Sequence, residues 1–217
     1  MYRSNILGVI IMNGYTTLLP KYSIICYWEA FALSEHHVRI LLSGGIDSTA
    51  VLHFYRKQQN QVDALFIDYE QLARHKELVA AQQICNFFEV ELNILKVSGM
   101  GPWDSGFILG RNGFLLQTGL MSFPFSKGTI ALGIHTGTGY SDCSAMFIAQ
   151  MQKIYDIYTN GQIKIGAPFI DLNKQEIWEF CKADCIPIGL TYSCEKGLDQ
   201  PCGNCSSCKD LEVLYAL

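Results

Sequence analysis

The chain has 217 residues, of which 49% are apolar and 17% charged, enough to bury the core of an ordered globular domain. Its formal net charge of -4 argues against a general attraction to anionic membranes or long nucleic acids, so neither is expected as a partner. The apolar run 6–12 lacks a cleavage site and falls short of the roughly 20 residues that span a bilayer, so we expect a cytoplasmic protein with reduced thiols.

Residues 1–37 predict a small β appendage, because short apolar runs are broken there by Asn13-Gly14, a hairpin signal, and by Pro20. From residue 38 onward, apolar runs alternate with helical periods. The predicted strands are 38–42, 62–67, 90–97 and 129–134, and the predicted helices are 48–59, 71–88, 112–123, 142–158 and 174–182. This alternation predicts an α/β fold, with a Rossmann-like parallel sheet covered by helices on both faces. We expect that domain over 38–190 and a metal-binding C-terminal segment over 191–217.

A loop rich in Gly and Ser, Leu42-Ser43-Gly44-Gly45-Ile46-Asp47-Ser48-Thr49, lies between the first strand and the first helix of the predicted domain. In an open parallel sheet, ligands bind at the carboxyl ends of strands, which is where this loop begins. The glycines allow backbone N–H groups to approach an anion, and the hydroxyl groups and the helix N-terminus add donors. We therefore expect this segment, called the phosphate loop below, to bind phosphate, with Asp47 holding a metal ion or orienting the loop. No Lys follows the glycines, which excludes the P-loop of nucleoside triphosphatases.

Four of the nine cysteines lie close together near the C-terminus. Their spacing, Cys194-x7-Cys202-x2-Cys205-x2-Cys208, is typical of a four-thiolate zinc site. Such a site has no open position for water, so we expect the Zn²⁺ to be structural. An iron–sulfur cluster would accept the same ligands, although nothing else in the sequence indicates redox chemistry. We interpret Cys181 and Cys185 as small buried hydrophobic residues.

Several motifs resemble known families. The string Ser-Gly-Gly-x-Asp-Ser at 43–48 resembles the PP-loop of N-type ATP pyrophosphatases, which split ATP between its α- and β-phosphates and adenylate a carbonyl oxygen. Segments that resemble the 7-cyano-7-deazaguanine synthase family are, in chain order, Asp68-Tyr69-x-Gln71, Gly110-Arg111-Asn112, Gly139-Tyr140-Ser141-Asp142-Cys143, Pro168 with Lys174, and Tyr192-Ser193-Cys194 with the later cysteines. The resemblance runs in order over residues 38–210.

The resemblance implies a reaction on 7-carboxy-7-deazaguanine, with Mg²⁺ and ATP. The carboxylate is adenylated, ammonia displaces AMP to give an amide, and a second adenylation permits dehydration to the nitrile. By resemblance, the catalytic residues are Ser43, Asp47, Ser48, Arg111 and Lys174; loop 42–49 and Asp68 bind ATP; and Tyr69, Gln71, Asn112, Tyr140 and Asp142 bind the substrate. Arg111 and Lys174 would meet phosphate or carboxylate oxygens, and Asp142 would accept from the N–H edge of the purine-like ring. The family also implies a homodimer.

Some positions depart from the family pattern. Ser144 stands where Arg is usual, Glu70 replaces Gly, and segment 135–138 lacks the usual Asp. These changes leave the phosphate loop and the cysteines intact and alter the acceptor side. They suggest an alternative, a relative in anti-phage defence that stops at the amide or joins the deazaguanine to an amine on a protein partner. A non-catalytic nucleotide-binding module is disfavoured by the intact loop, and a tRNA thiolase by the acidic composition.

Overall fold

The protein is described by a computed structural model over residues 11–12, 15–16, 36–101, 103 and 107–216. The chain divides into two compact units, 1–35 and 36–217. In the first unit, strand β1 (Ile11–Met12) pairs antiparallel with strand β2 (Tyr15–Thr16). The pair flanks the Asn-Gly step in sequence, as the hairpin signal predicts, and the rest of the predicted β appendage lies outside the described residues. The domain boundaries at 37 and 190 stay a prediction.

The second unit contains a parallel sheet of five strands among its described residues. These are β3 (His37–Leu41), β4 (Gln61–Asp68), β5 (Glu91–Lys96), β6 (Gly128–Leu132) and β7 (Ile163–Gly166). Their order across the sheet is β5-β4-β3-β6-β7, and every neighbouring pair is parallel. The predicted α/β class is therefore confirmed. Because the strand order reverses between β3 and β6, a crevice forms at their carboxyl ends.

Six α-helices accompany the sheet in the described part of this unit. They are α1 (Ile46–Lys57), α2 (Arg74–Phe88), α3 (Arg111–Met121), α4 (Ala145–Thr159), α5 (Lys174–Ala183) and α6 (Ser206–Tyr215). Short 3₁₀ turns occupy Ser141–Cys143 and Ile188–Leu190. Each strand and helix predicted between 38 and 182 is present, with ends that differ by three residues or fewer. None of the described helices has the length and apolar character needed to cross a membrane.

Two apolar layers cover the two faces of the sheet. On one face, helices α1, α2, α5 and α6 contribute buried residues to a cluster that includes Ile40 and Phe66. On the other face, α3 and α4 pack against Leu65 and Ile130. All five residues of β6 are buried, as expected for a central strand with both faces covered. Side chains alternate between the two faces along β3 and β4, so each of these strands contributes apolar residues to both layers.

A buried ion pair joins two neighbouring strands inside the sheet. Arg39 on β3 donates to Asp63 on β4, and both side chains are less than 10% exposed. The Arg39 guanidinium also donates to the carbonyl oxygen of Ser122 at 2.6 Å, and the Asn93 amide donates to Asp63 at 3.1 Å. The pair is therefore satisfied on both sides, which a buried charge requires.

Two elements were not predicted, and one predicted helix begins later than expected. Strand β7 has four residues, with an exposed Lys164 between two isoleucines, so its apolar run is too short to register as a buried strand. Helix α6 lies in the segment that the sequence assigned only to metal binding. The helix predicted from 142 begins at Ala145, because the Ser144 side chain accepts the N–H of Phe147 and caps it.

Candidate active site

A cavity of about 280 Å³ opens at the carboxyl ends of β3, β4 and β6. It brings together residues from motifs that are far apart in the sequence. Those of the predicted site that line it are Leu42, Ser43, Gly45, Ile46, Asp47, Ser48, Tyr69, Gln71, Arg111, Asn112, Tyr140 and Lys174. The position matches the crevice that the strand order creates, so the fold itself places these groups around one volume.

Three of the predicted ATP-binding residues do not line the cavity. Gly44 adopts φ +80°, and a Cβ there would lie 2.5 Å from the carbonyl oxygen of Glu77, so only glycine fits. The Thr49 hydroxyl donates to the carbonyl oxygen of Gly45 at 2.8 Å, and the Asp68 carboxylate accepts the N–H of Glu70 at 3.0 Å. All three hold the backbone around the site, and their predicted contact with ATP stays a prediction.

Asp142 also lies outside this cavity. Its carboxylate accepts the N–H of Asn112 at 3.2 Å, and its carbonyl oxygen accepts the Asn112 amide at 3.0 Å. These bonds satisfy the N-terminal end of α3, which begins at Arg111. Asp142 borders a second cavity of about 400 Å³ with Phe107 and Leu109. Its predicted contact with the purine-like ring stays a prediction, while its observed contacts position the start of α3.

The phosphate loop is held in shape by its own hydroxyl groups. The Ser48 hydroxyl donates to the carbonyl oxygen of Gly45 at 3.1 Å, and the Ser43 and Ser48 hydroxyl oxygens are 3.1 Å apart. Gly133, just after β6, lies directly against this loop. A Cβ on Gly133 would stand 2.6 Å from the backbone N of Ser48 and from the carbonyl carbon of Asp47. Sequence reasoning missed Gly133, because no local pattern indicates that the loop backbone approaches it.

A charged pair, Asp47 and Lys174, lines the cavity. The Lys174 ammonium, at the first residue of α5, donates to both carboxylate oxygens of Asp47, at 2.6 and 2.7 Å. Nε2 of His135 lies 4.0 Å from the same carboxylate. Burial lowers the pKa of His135, an effect that Asp47 opposes and Lys174 reinforces. The sequence predicted the residues of the Asp47–Lys174 pair but not the participation of His135.

A polar network closes the cavity on the side of β4. The Gln71 side chain accepts the N–H of Tyr69 at 2.9 Å and donates to the Glu77 carboxylate at 2.9 Å. Burial raises the pKa of Tyr69 to about 12, although the Arg111 guanidinium, which hydrogen-bonds to it, acts in the opposite direction. Burial likewise raises the pKa of Glu77, against the Gln71 hydrogen bond and the Arg111 charge. Gln71 therefore orients neighbouring groups, and Glu77 joins the site without having been predicted.

The C-terminal segment forms another wall. The N–H of Tyr192 donates to the carbonyl oxygen of Gly44 at 2.9 Å, which ties this segment to the phosphate loop. Further along the same segment, the Glu195 carboxylate accepts hydrogen bonds from the hydroxyls of Ser206 and Ser207 at 3.0 and 3.1 Å. Ser193, Glu195, Ser206, Ser207 and Asp210 all face the cavity.

The four predicted metal ligands meet in space. The Sγ atoms of Cys194, Cys202, Cys205 and Cys208 all lie within 4.8 Å of one another, and those of Cys202 and Cys208 are 3.9 Å apart. Tetrahedral Zn²⁺ with bonds of about 2.3 Å places its sulfur ligands about 3.8 Å apart, so the cluster fits one such ion. Backbone N–H groups of Asn204 and Cys205 donate to the Cys202 sulfur and lower the pKa of that thiol to about 6. Cys202 therefore favours the thiolate form that binds a metal, whereas burial raises the pKa of Cys208 to about 12.

The two cysteines interpreted as buried differ from each other. Cys181 is fully buried on α5, as expected. Cys185 is exposed, so the interpretation was wrong for this residue. The helix ends at Ala183, and Cys185 follows in a left-handed turn with φ +54°, which carries its side chain off the apolar face.

Comparison with known proteins identifies the family. The family model described as queuosine biosynthesis protein QueC matches residues 37–109 and 101–213, most of this chain. The chain belongs to the QueC family. As the resemblance implied, it is an enzyme of the ATP-dependent PP-loop class.

Similar proteins include several 7-cyano-7-deazaguanine synthases. That of Campylobacter jejuni subsp. jejuni serotype O:6 is 32% identical over 197 residues, covering 77% of this QueC-family chain and 88% of the relative. That of Prochlorococcus marinus strain MIT 9215 is 29% identical over 209 residues, covering 82% and 92%. Among solved structures, the U34-tRNA thiolase NcsA from Methanococcus maripaludis with its 4Fe–4S cluster aligns with a TM-score of 0.49 at 13% identity, over 90% of this chain and 73% of that one.

Proposed function

We propose that this QueC-family enzyme uses ATP to convert 7-carboxy-7-deazaguanine and ammonia into 7-cyano-7-deazaguanine. The carboxylate oxygen attacks the α-phosphorus of ATP and pyrophosphate leaves. Ammonia then displaces AMP and loses a proton, giving the amide. Adenylation of the amide oxygen makes it a leaving group, and loss of AMP and two protons gives the nitrile. The observation that carries the proposal is the single cavity lined by most of loop 42–49 together with Arg111 and Lys174.

The loop side of the cavity is suited to the phosphates. Backbone N–H groups, the Ser43 and Ser48 hydroxyls and the positive end of α1 converge there, which is the arrangement that stabilises bound anions. Asp47 is the group proposed to hold Mg²⁺, which would neutralise phosphate charge when bound. Lys174 lies against the Asp47 carboxylate and would supply a further positive charge to the departing pyrophosphate.

The opposite side of the cavity is suited to the substrate. Tyr69 and Tyr140 offer aromatic surface for a planar ring, and Asn112 adds an amide. The Arg111 guanidinium would meet the substrate carboxylate through its planar fork. Asp142 fixes the N-terminal end of α3, and thereby Arg111, through its bond to Asn112. To read the purine-like ring directly, its carboxylate would have to turn away from that bond.

The cysteine cluster is proposed to hold one structural Zn²⁺. In a cluster of several irons, each thiolate binds a different iron, which spreads the sulfur atoms further apart than one tetrahedral ion does. The separation of 3.9 Å between Cys202 and Cys208 supports the single ion. Reduced thiols of this kind support a cytoplasmic enzyme. The homodimer implied by the family stays a prediction.

A second candidate is amide formation on a protein partner. Ser144, where the family pattern has Arg, donates to the carbonyl oxygen of Ser141 at 2.8 Å and caps α4, so it offers no positive charge to a ligand. Beside it lies the second cavity, lined by Phe107, Leu109 and Met146 among others. A mainly apolar groove at this place would accommodate a peptide end, with its amine as the nucleophile in place of ammonia.

The test is pyrophosphate release by the full chain with ATP and Mg²⁺, measured with and without 7-carboxy-7-deazaguanine. We expect release to depend on the deazaguanine and to fall sharply in Lys174→Met. The matched control is Lys164→Met, which removes an exposed lysine that pairs with Asp156. Release that is indifferent to the deazaguanine contradicts the proposed substrate, and absence of release under every condition favours a nucleotide-binding module. The first adenylation precedes attack by the amine, so both candidates release one pyrophosphate per enzyme without ammonia. Continued release that requires ammonia supports the first candidate, and continued release that requires an added peptide amine supports the second.

A further inference from the structure

His135 is a cavity residue to which the proposed reaction assigns no role. It follows β6 and lies beside the Asp47–Lys174 pair, with only 6% of its surface exposed. His135 is the first residue of segment 135–138, which lacks the Asp usual in the family. Its surroundings determine which of its two nitrogen atoms carries the proton.

The backbone fixes the tautomer of this ring. The N–H of Gly137 lies 3.2 Å from Nδ1 of His135 and donates to it. A backbone N–H is always a donor, so Nδ1 must be the acceptor and the proton of the neutral ring must be on Nε2. The turn that presents this N–H is held by the N–H of Thr136, which donates to the carbonyl oxygen of Ile170 at 3.0 Å. A Cβ on Gly137 would lie 2.9 Å from Nδ1, so glycine is needed for this approach.

The Nε2–H donor faces the cavity and is not used within the described residues. A carboxylate oxygen of Asp47 is 4.0 Å away, beyond the 2.7–3.2 Å of a hydrogen bond. Both oxygens of that carboxylate are already bonded to Lys174. Burial lowers the pKa of His135, so the ring adds a donor here without adding a charge. A charged imidazole would instead compete with Lys174 for Asp47.

We infer that His135 is a neutral hydrogen-bond donor, through Nε2–H, to a phosphate oxygen of ATP bound over loop 42–49. Phosphate oxygens are the acceptors expected between His135 and the loop, because the loop and the N-terminus of α1 attract anions there. The same geometry excludes a general base: Nδ1 is occupied by Gly137, and Nε2 already carries a proton. The inference rests on the proposed use of ATP but not on the identity of the acceptor.

The experiment compares His135→Phe, which keeps a ring without the donor, with His135→Gln, whose amide supplies a donor near the position of Nε2. Titration calorimetry with ATP and Mg²⁺, and separately with pyrophosphate, should show binding weakened on the order of tenfold or more in the Phe variant. The Gln variant should retain most of the affinity. Gly137→Ala should weaken binding as well, because its Cβ displaces the ring. Equal affinities of wild type and the Phe variant would overturn the inference.

A spectroscopic measurement keeps the inference testable if a variant fails to fold. In ¹⁵N-labelled wild-type enzyme, the His135 ring should be the Nε2–H tautomer, and its Nε2 resonance should shift when pyrophosphate binds. The inference is contradicted by an Nδ1–H tautomer. It is also contradicted if the Nε2 resonance does not shift although the protein binds pyrophosphate, or if the protein binds neither ATP nor pyrophosphate. These measurements need no deazaguanine. A wrong substrate assignment would therefore leave them unchanged and appear only in product analysis.

Discussion

The contact between Gly133 and the phosphate loop makes one substitution especially informative. Alanine at 133 would place a Cβ 2.6 Å from the backbone N of Ser48, whereas ordinary contact begins at 3.4 Å. The loop must therefore move by about 0.8 Å, because both sides of the contact include backbone. Overpacking of this kind costs about 1–3 kcal/mol of folding free energy. A displacement near 1 Å in a positioning element costs on the order of 100-fold in rate, and we expect Gly133→Ala to lose that much turnover.

Steady-state pyrophosphate release measures the loss, and denaturant unfolding measures the stability. Gly189→Ala is the matched control, because Gly189 is exposed and a Cβ there meets no atom within 4 Å. It should keep full activity and wild-type stability. If Gly133→Ala releases pyrophosphate at the wild-type rate while remaining folded, the loop does not need its observed position, and the account of the site is wrong.

Three further predictions concern the charges and the cysteines. Lys174→Met should reduce turnover by on the order of 100-fold with little change in melting temperature, because it removes a charge from the site and not from the core. Asp63→Asn should lower the free energy of unfolding by about 3–5 kcal/mol, since it leaves a buried guanidinium unpaired; Asp156→Asn, at the surface, should change it little. Cys202→Ser should abolish stoichiometric zinc binding measured by elemental analysis and lower the melting temperature, whereas Cys185→Ser should do neither. Retention of one zinc per chain in Cys202→Ser would contradict the ligand assignment.

The sequence predicted the parallel sheet because its periodic signals are strong. Central strands such as β6 contain short apolar runs, here Ile130 to Leu132, and the Gly-Ser loop between β3 and α1 has a distinctive composition. The same method missed α6, although Cys208, Leu211 and Leu214 recur at helical spacing, because the cysteine spacing dominated the interpretation. Strand β7 was missed because its pairing with β6, and not its own four residues, makes it a strand.

The candidate site was predictable only in part. Motif order suggested that Asp47, Arg111 and Lys174 would converge, and all three line one cavity. The direction in which a side chain turns depends on contacts from distant segments, and the sequence does not contain these in readable form. Asp142 turns to Asn112, which no local pattern indicates.

His135 and Gly133 reach the site for the same kind of reason. Both follow β6. His135 begins the segment that lacks the usual Asp of the family, and Gly133 belongs to no motif. Each acquires its significance from a neighbour distant in sequence, the Asp47 carboxylate for His135 and the loop backbone for Gly133. A sequence pattern identifies the chemistry that a fold carries, and the packing then determines which other residues take part in it.

Product mass spectrometry tests the central claim most directly. The full chain is incubated with ATP, Mg²⁺, 7-carboxy-7-deazaguanine and ¹⁵N-ammonium, and the small molecules are separated and weighed. We predict a product with the mass of 7-cyano-7-deazaguanine containing one ¹⁵N, with AMP and pyrophosphate formed in two equivalents each. A reaction that ends at the labelled amide, or that returns only unmodified 7-carboxy-7-deazaguanine, would contradict it.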